Sequence, residues 1–236
     1  MCTVIVLQRP GHSWPLLLAA NRDERTDRPW DPPSDHWPGR PGVVAGRDRL
    51  GGGTWMGINA AGVAAAVLNR SGSLGPAPGK RSRGELPLLA LEHLTAAKAA
   101  AAIAALDGGG WRSFNMVIAD RNEAWFVRSH GDDSPEAMVL PPGLHMITAH
   151  DPDDLDSPRV ARHLPRFRAA PPPEPPDWSA WQALLSDTSG GTAALNVPAQ
   201  DGFGTVCASL TGLPDAGRPV WLFAGGPPDR AVFRQV

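Results

Sequence analysis

The first twenty-four residues constrain the fold most. Two apolar runs, CTVIVLQ (2–8) and PLLLAANRD (15–23), flank the short turn-forming stretch GHSW. Both are aliphatic or β-branched and too short for a core helix, so together they predict an antiparallel β-hairpin. Antiparallel pairing sets the start of the first strand beside the end of the second. Cys2 is thereby brought next to the polar cluster Asn21-Arg22-Asp23-Glu24.

The rest of the chain reads in the same language. Residues 27–54, with DRPWDPPSDHWPGRPG at their start, form a long irregular loop, ordered by its aromatics. TWMGINAAGVAAAVLNR predicts a second hairpin with its turn at Asn59 to Gly62, delivering Asn69 at a strand end. GELPLLALEHLTAAKAAAAIAALDGG predicts two helices meeting near Thr95, a competent N-cap, and ending at Asp107 and the glycines. SFNMVIADRNEAWFVRSH alternates as two strands around DRNE, and GLHMITAH is a further strand. DSPRVARHLPRF starts a helix with Pro158 in its first turn, which Pro165 should kink or end. PPPEPP is a stiff connector, Asp177 caps a helix over WSAWQALL, and GTVCASLTGL, RPVWLFAGG and RAVFRQV are closing strands. The order of strands and helices predicts one α+β domain over residues 1–236, with largely antiparallel sheets.

Charge narrows the function classes. Lys+Arg 22 against Asp+Glu 24 leaves a net charge of -2, so no global field attracts nucleic acid or an anionic membrane. Two cysteines, Cys2 and Cys207, make no disulfide framework, and no CxxC points to metal or redox work. WPLLLAA is far too short to span a bilayer. The expectation is a soluble protein of the reducing cytoplasm, without an integral membrane segment.

Cys2 is the residue with the most chemistry in reach. A thiol attacks as thiolate, so its proton must be removed by a neighbouring base. If Met1 is trimmed, the α-amine of Cys2, with a pKa of about 7.7–8.0, is such a base on the same residue. The competing reading is a buried structural cysteine. Asp23 lies where it would orient the thiol or accept from the ammonium, and Asn69 could donate its amide to a developing oxyanion. The glycines before TWMGIN permit close backbone approach, but no P-loop follows. Asn21, Arg22, Trp55 and Asn59 are the candidate substrate contacts, with Trp30 and Trp37 further walls of an apolar cleft. His145, His150 and His163, near Met116 and Met146, lack any metal- or haem-ligand spacing, so no metal is assigned.

These segments, taken in order, resemble the NRDE family, the group of transport and Golgi organisation protein 2 homologues. The resemblance rests on Met1-Cys2-Thr3, NRDE at 21–24, GGTWMGIN at 52–59, VLNR at 67–70, SFNMVIAD at 113–120, LDSP at 155–158 and FGT at 203–205. That family is in turn similar to N-terminal nucleophile hydrolases of the penicillin V acylase and bile salt hydrolase type. This implies a four-layer αββα sandwich of two antiparallel sheets, with Cys2 as nucleophile, Asp23 supporting it and Asn69 in the oxyanion hole. The implied reaction is hydrolysis of an amide (C–N) bond in a small acylated molecule. The alternative is a non-catalytic carrier of haem or a lipid-like ligand in the same cleft, since family members are associated with haem trafficking. Three departures bear on the choice. Ala20 stands where the acylases have an arginine, Ala149 where a second oxyanion asparagine is expected, and Val206 where the family's closing GTR has its arginine.

Overall fold

The computed structural model describes residues 2–236. The chain runs through β1 (Thr3–Gln8), β2 (Leu16–Arg25), β3 (Trp30–Ser34), β4 (Val44–Asp48), β5 (Met56–Ile58) and β6 (Ala64–Asn69). Then come α1 (Glu85–Ala90), α2 (Ala96–Ala104), β7 (Phe114–Ala119), β8 (Ala124–Ser129), β9 (Glu136–Leu140) and β10 (Gly143–Ile147). It closes with α3 (Pro158–Ala169), α4 (Ser179–Leu185), β11 (Phe203–Leu213), β12 (Val220–Ala224) and β13 (Phe233–Gln235). Two compact units result, one from the segments up to Arg28 and from Pro142 onward, the other from Pro29–Pro141. Among the described residues no helix is long and apolar enough to cross a membrane.

The first unit is a six-stranded antiparallel sheet in the order β10-β1-β2-β11-β12-β13. The expected N-terminal hairpin is present, with Thr3 opposite Asn21 and Gln8 opposite Leu16. Alternate residues Ile5, Leu7, Leu17 and Ala19 face a core completed by Val160, Leu164 and Phe167 of α3 and by Trp181 and Leu185 of α4. Their neighbours Val4, Val6, Leu16 and Leu18 are buried as well. A strand buried on both faces loses the polar half of its alternation, which is why CTVIVLQ is continuously apolar. Helix α3 starts at Ser157, whose hydroxyl accepts from the Val160 amide, and runs on through Pro165 to Ala169. The helix does not end at Pro165, which lies on its exposed side while His163, Leu164 and Phe167 stay buried.

The second unit is a seven-stranded antiparallel sheet in the order β3-β4-β5-β6-β7-β8-β9. Helices α1 and α2 pack with Ala45, Ala65, Met116 and Ile118 into its core. Thr95 caps α2 by accepting from the Lys98 amide, as its sequence implies. The loop expected over 27–54 is instead partly sheet. Strands β3 and β4 lie within it, and Pro32 and Pro33 are accommodated because β3 is the sheet edge and its pairing slips between Asp31 and Ser34. Of the glycines before Thr54, Gly53 serves packing, since a Cβ there would sit 2.3 Å from the Gly84 backbone, while Gly52 turns the chain with φ +71°.

Candidate functional site around Cys2

The end of the first hairpin builds the site. Cys2 directly precedes β1, so the register that sets Thr3 opposite Asn21 brings Cys2 level with Arg22. The thiol donates to the Asp23 backbone carbonyl across 3.5 Å. Burial pushes this thiol above its ordinary value, and the Asp23 carboxylate adds to the shift, while Arg22 opposes it. Such a thiol is a poor nucleophile without a base beside it.

The Asp23 side chain is held from two directions. Thr205 on β11 donates its hydroxyl to Oδ1 at 2.6 Å, and Arg159 on α3 donates Nη1 to Oδ2 at 2.9 Å. The same Arg159 nitrogen reaches the Thr3 hydroxyl at 3.2 Å, so one guanidinium ties both strands of the hairpin beside Cys2. The ion pair is enclosed, Arg159 being 2% and Asp23 0% exposed at the side chain. Pairing of β11 with β2 sets Thr205 opposite Asp23 and Cys207 opposite Arg22, leaving Val206 as a bulge residue between them. Bulges re-aim side chains next to functional sites, and here the bulge admits both Thr205 and Cys207 to the neighbourhood of Cys2. Burial raises the Cys207 thiol to about 12, with the adjacent Arg22 pulling against it.

Other candidates take different places. Asn21 is buried and spends its amide hydrogens on the carbonyls of Leu185 at 2.9 Å and Leu195 at 3.0 Å, fastening the end of α4 to β2. Arg22 is buried and lies 3.6 Å from the Glu24 carboxylate. Asn69, Trp55 and Asn59 all belong to the second unit. Asn69 ends β6 opposite Phe114, at the strand's far end from the hairpin turn. Trp55 packs edge-on against Trp30 with ring centroids 5.7 Å apart, and Gly46 makes room for its indole. The Asn59 amide donates to Leu91 and His93 carbonyls while its oxygen accepts from the Ala61 and Val63 amides, which shapes the turn. Asn59 and Trp37 also line an open cavity of about 670 Å³ with Arg40, Val43, Leu91 and Leu94.

The histidines weighed as ligands are engaged by protein atoms. His145 Nδ1 lies 2.7 Å from Asp153, His150 Nδ1 3.2 Å from Asp154, and His163 donates to the Ala193 carbonyl at 2.9 Å. Among the described residues no group of three or more His, Cys, Asp or Glu is placed to hold a metal ion. Arg159 escaped the sequence reading, although the LDSP motif directly before it marked the helix start that presents it.

Comparison with known proteins agrees with this picture. The model of the family described as Transport and Golgi organisation 2 matches residues 1–171. The mouse Transport and Golgi organization 2 homolog is 32% identical over 145 residues, 58% of this chain and 51% of its own length. The human homolog is 31% identical over 147 residues with the same coverage. The chain therefore spans about half the length of the curated relatives it matches. Among solved structures it is similar to a Caenorhabditis elegans ortholog of N-acylethanolamine-hydrolyzing acid amidase, with TM-score 0.63, 14% identity and coverage of 91% of this chain and 94% of that one. Penicillin V acylase from Agrobacterium tumefaciens gives TM-score 0.50 at 16% identity, covering 95% and 83%. A mutant conjugated bile acid hydrolase from Clostridium perfringens gives 0.54 at 11%, covering 100% and 96%. These likenesses show the fold, the α+β architecture of N-terminal nucleophile hydrolases. With the family model matching most of its length, the chain belongs to the Transport and Golgi organisation 2 family.

Proposed function

We propose that this protein is a cysteine-dependent hydrolase of amide (C–N) bonds in a small acylated molecule, with Cys2 as nucleophile after removal of Met1. The observation that carries the reading is the seating of the Cys2 thiol on the end of β2, beside an Asp23 anchored by Thr205 and Arg159. Burial and the Asp23 carboxylate both raise this thiol, so attack at neutral pH requires a base within reach. The free α-amine of Cys2 would meet that need.

In this reading the thiol proton passes to the amine and sulfur attacks the acyl carbonyl, forming a carbon–sulfur bond. Collapse of the tetrahedral intermediate breaks the C–N bond, and the ammonium returns its proton to the departing nitrogen. Water then cleaves the thioester, releasing the acid and restoring the thiol. The resemblance assigns Asn69 to the oxyanion, while Asn21 acts as a strut that fastens β2 to the end of α4. Ala149 offers no side-chain donor where the resemblance implies one, and loss of one such donor costs about two to three orders of magnitude in rate. Turnover is thus expected to be slow beside that of the acylases. The names of the structural neighbours, an acid amidase, an acylase and a bile acid hydrolase, support acyl chemistry.

The test pairs intact mass spectrometry, expected to show Met1 removed, with amide hydrolysis measured on a panel of N-acyl amines and N-acyl amino acids. Cys2→Ala should abolish release of the amine. Full activity in that variant would overturn the reading. A saturable, stoichiometric Soret shift on titration with haemin, with no amide cleaved, would favour the carrier alternative.

A further inference from the structure

The resemblance puts an arginine at position 206, and this chain has valine there. The charge next to Cys2 is nevertheless compensated, from a different element. Asp23 brings a carboxylate into a fully enclosed place, where an unopposed charge is costly. Arg159 meets it from the first turn of α3, just after the capping Ser157 and Pro158. Its Nη1 is shared between Asp23 Oδ2 at 2.9 Å and Thr3 Oγ1 at 3.2 Å. The position that lacks the arginine is itself the bulge between Thr205 and Cys207. Thus two residues flanking Val206 face the Asp23 and Arg22 positions, and the cation arrives from across the hairpin.

We propose that Arg159 is a positioning residue of the Cys2 site, clamping Asp23 and Thr3 around the nucleophile. The proposal deepens the hydrolase reading and rests on Cys2 being the reactive centre. Among the described residues, the groups facing the thiol are Asp23 and Arg22 on β2 and Cys207 on β11. Arg159 offsets the first of these. Removing it takes that cation away from the Asp23 carboxylate, which raises the pH at which the neighbouring thiol ionises.

The experiment follows alkylation of the full chain by iodoacetamide between pH 6 and 11.5, with Cys2 and Cys207 read separately by peptide mass. Cys207 is buried and serves as the internal reporter of folding. Arg159→Gln should move the Cys2 midpoint up by about one pH unit, making labelling about tenfold slower near neutrality, with Cys207 still protected. Arg159→Lys, which keeps the charge, should stay within about 0.3 unit of the parent. An unmoved Cys2 midpoint in Arg159→Gln with Cys207 protected overturns the proposal, as does an equal shift in Arg159→Lys. Should Arg159→Gln expose Cys207, the test passes to Arg159→Lys, where the parental Cys2 midpoint with Cys207 protected is expected and a rise of about one pH unit overturns the proposal. Because labelling reports the thiol and not turnover, a protein without amidase activity would still return these results. An active protein whose midpoint ignores Arg159 refutes this inference alone.

Discussion

Asn21 shows how a residue in a signature motif can serve the fold. Its two amide hydrogens reach the Leu185 and Leu195 carbonyls, which belong to the end of α4 and to the segment leading into β11. Neither carbonyl lies near it in sequence, so the bonds close separations of 164 and 174 residues. Asn21→Ala strips a donor from both buried carbonyls and is expected to cost about 1–3 kcal/mol, read as a lowered urea midpoint at unchanged slope. The juxtaposition of Cys2 and Asp23 was legible from sequence because a hairpin register needs only two neighbouring runs. Arg159 was not, since 136 residues separate it from Asp23 and nothing local in SPRVAR marks an inward guanidinium. Asn69 was legible as a strand end for the same reason as Cys2, its hairpin being short and regular.

At the scale of elements, two of the three strands that sequence missed, β3 and β9, are edges, and the third, β4, is a five-residue strand inside the Pro- and Gly-rich stretch. Strands β3 and β9 bound the second sheet, and an edge strand needs no continuous apolar face. β9 has Met138 and Val139 exposed with only Leu140 buried at its end, so its pattern looks like loop. The interior strands β1, β2, β7 and β11 carry long buried runs and were readable for that reason. Helix α3 departs from expectation in the other direction, since Pro165 neither ends it nor removes its inner face. A proline in a helix interior forfeits the bond to the carbonyl four residues earlier, here Ala161, and crowds that turn. Pro165→Ala restores the N–H on an exposed position while giving back some unfolded-chain freedom. The expected net gain is about 1–2 kcal/mol, measured as a raised urea midpoint. A loss of stability would show that the ring itself contributes packing there.

For the whole molecule, the response to mild acid involves a group that folds into burial uncharged. His163 lies on α3 facing the core of the first unit, with Nε2–H donating to Ala193 and Nδ1 accepting from Arg166 at 3.0 Å. Both ring nitrogens are therefore satisfied in the neutral tautomer, and a second proton would point at a guanidinium. Burial, with that neighbouring charge, lowers the His163 pKa from 6.5 to about 4. The sign follows from proton counting. Between those two values the unfolded chain holds a proton that the folded chain lacks, so stability falls as pH falls through this window and is unaffected above it. A drop of about two and a half units corresponds to about 3 kcal/mol once pH has fallen below both values. Asp187, held low by Ser189 and Arg166, loses its own contribution only at more acid pH, starting near the ordinary aspartate value of 3.8. The two processes separate in a comparison of unfolding midpoints at pH 7.5 and 4.5 for the parent and His163→Gln. The parent should lose about 2–3 kcal/mol more than the variant over that interval, because glutamine takes up no proton. Equal losses would mean that His163 is protonated in the folded protein at pH 4.5, and that the Ala193 and Arg166 contacts give way in acid.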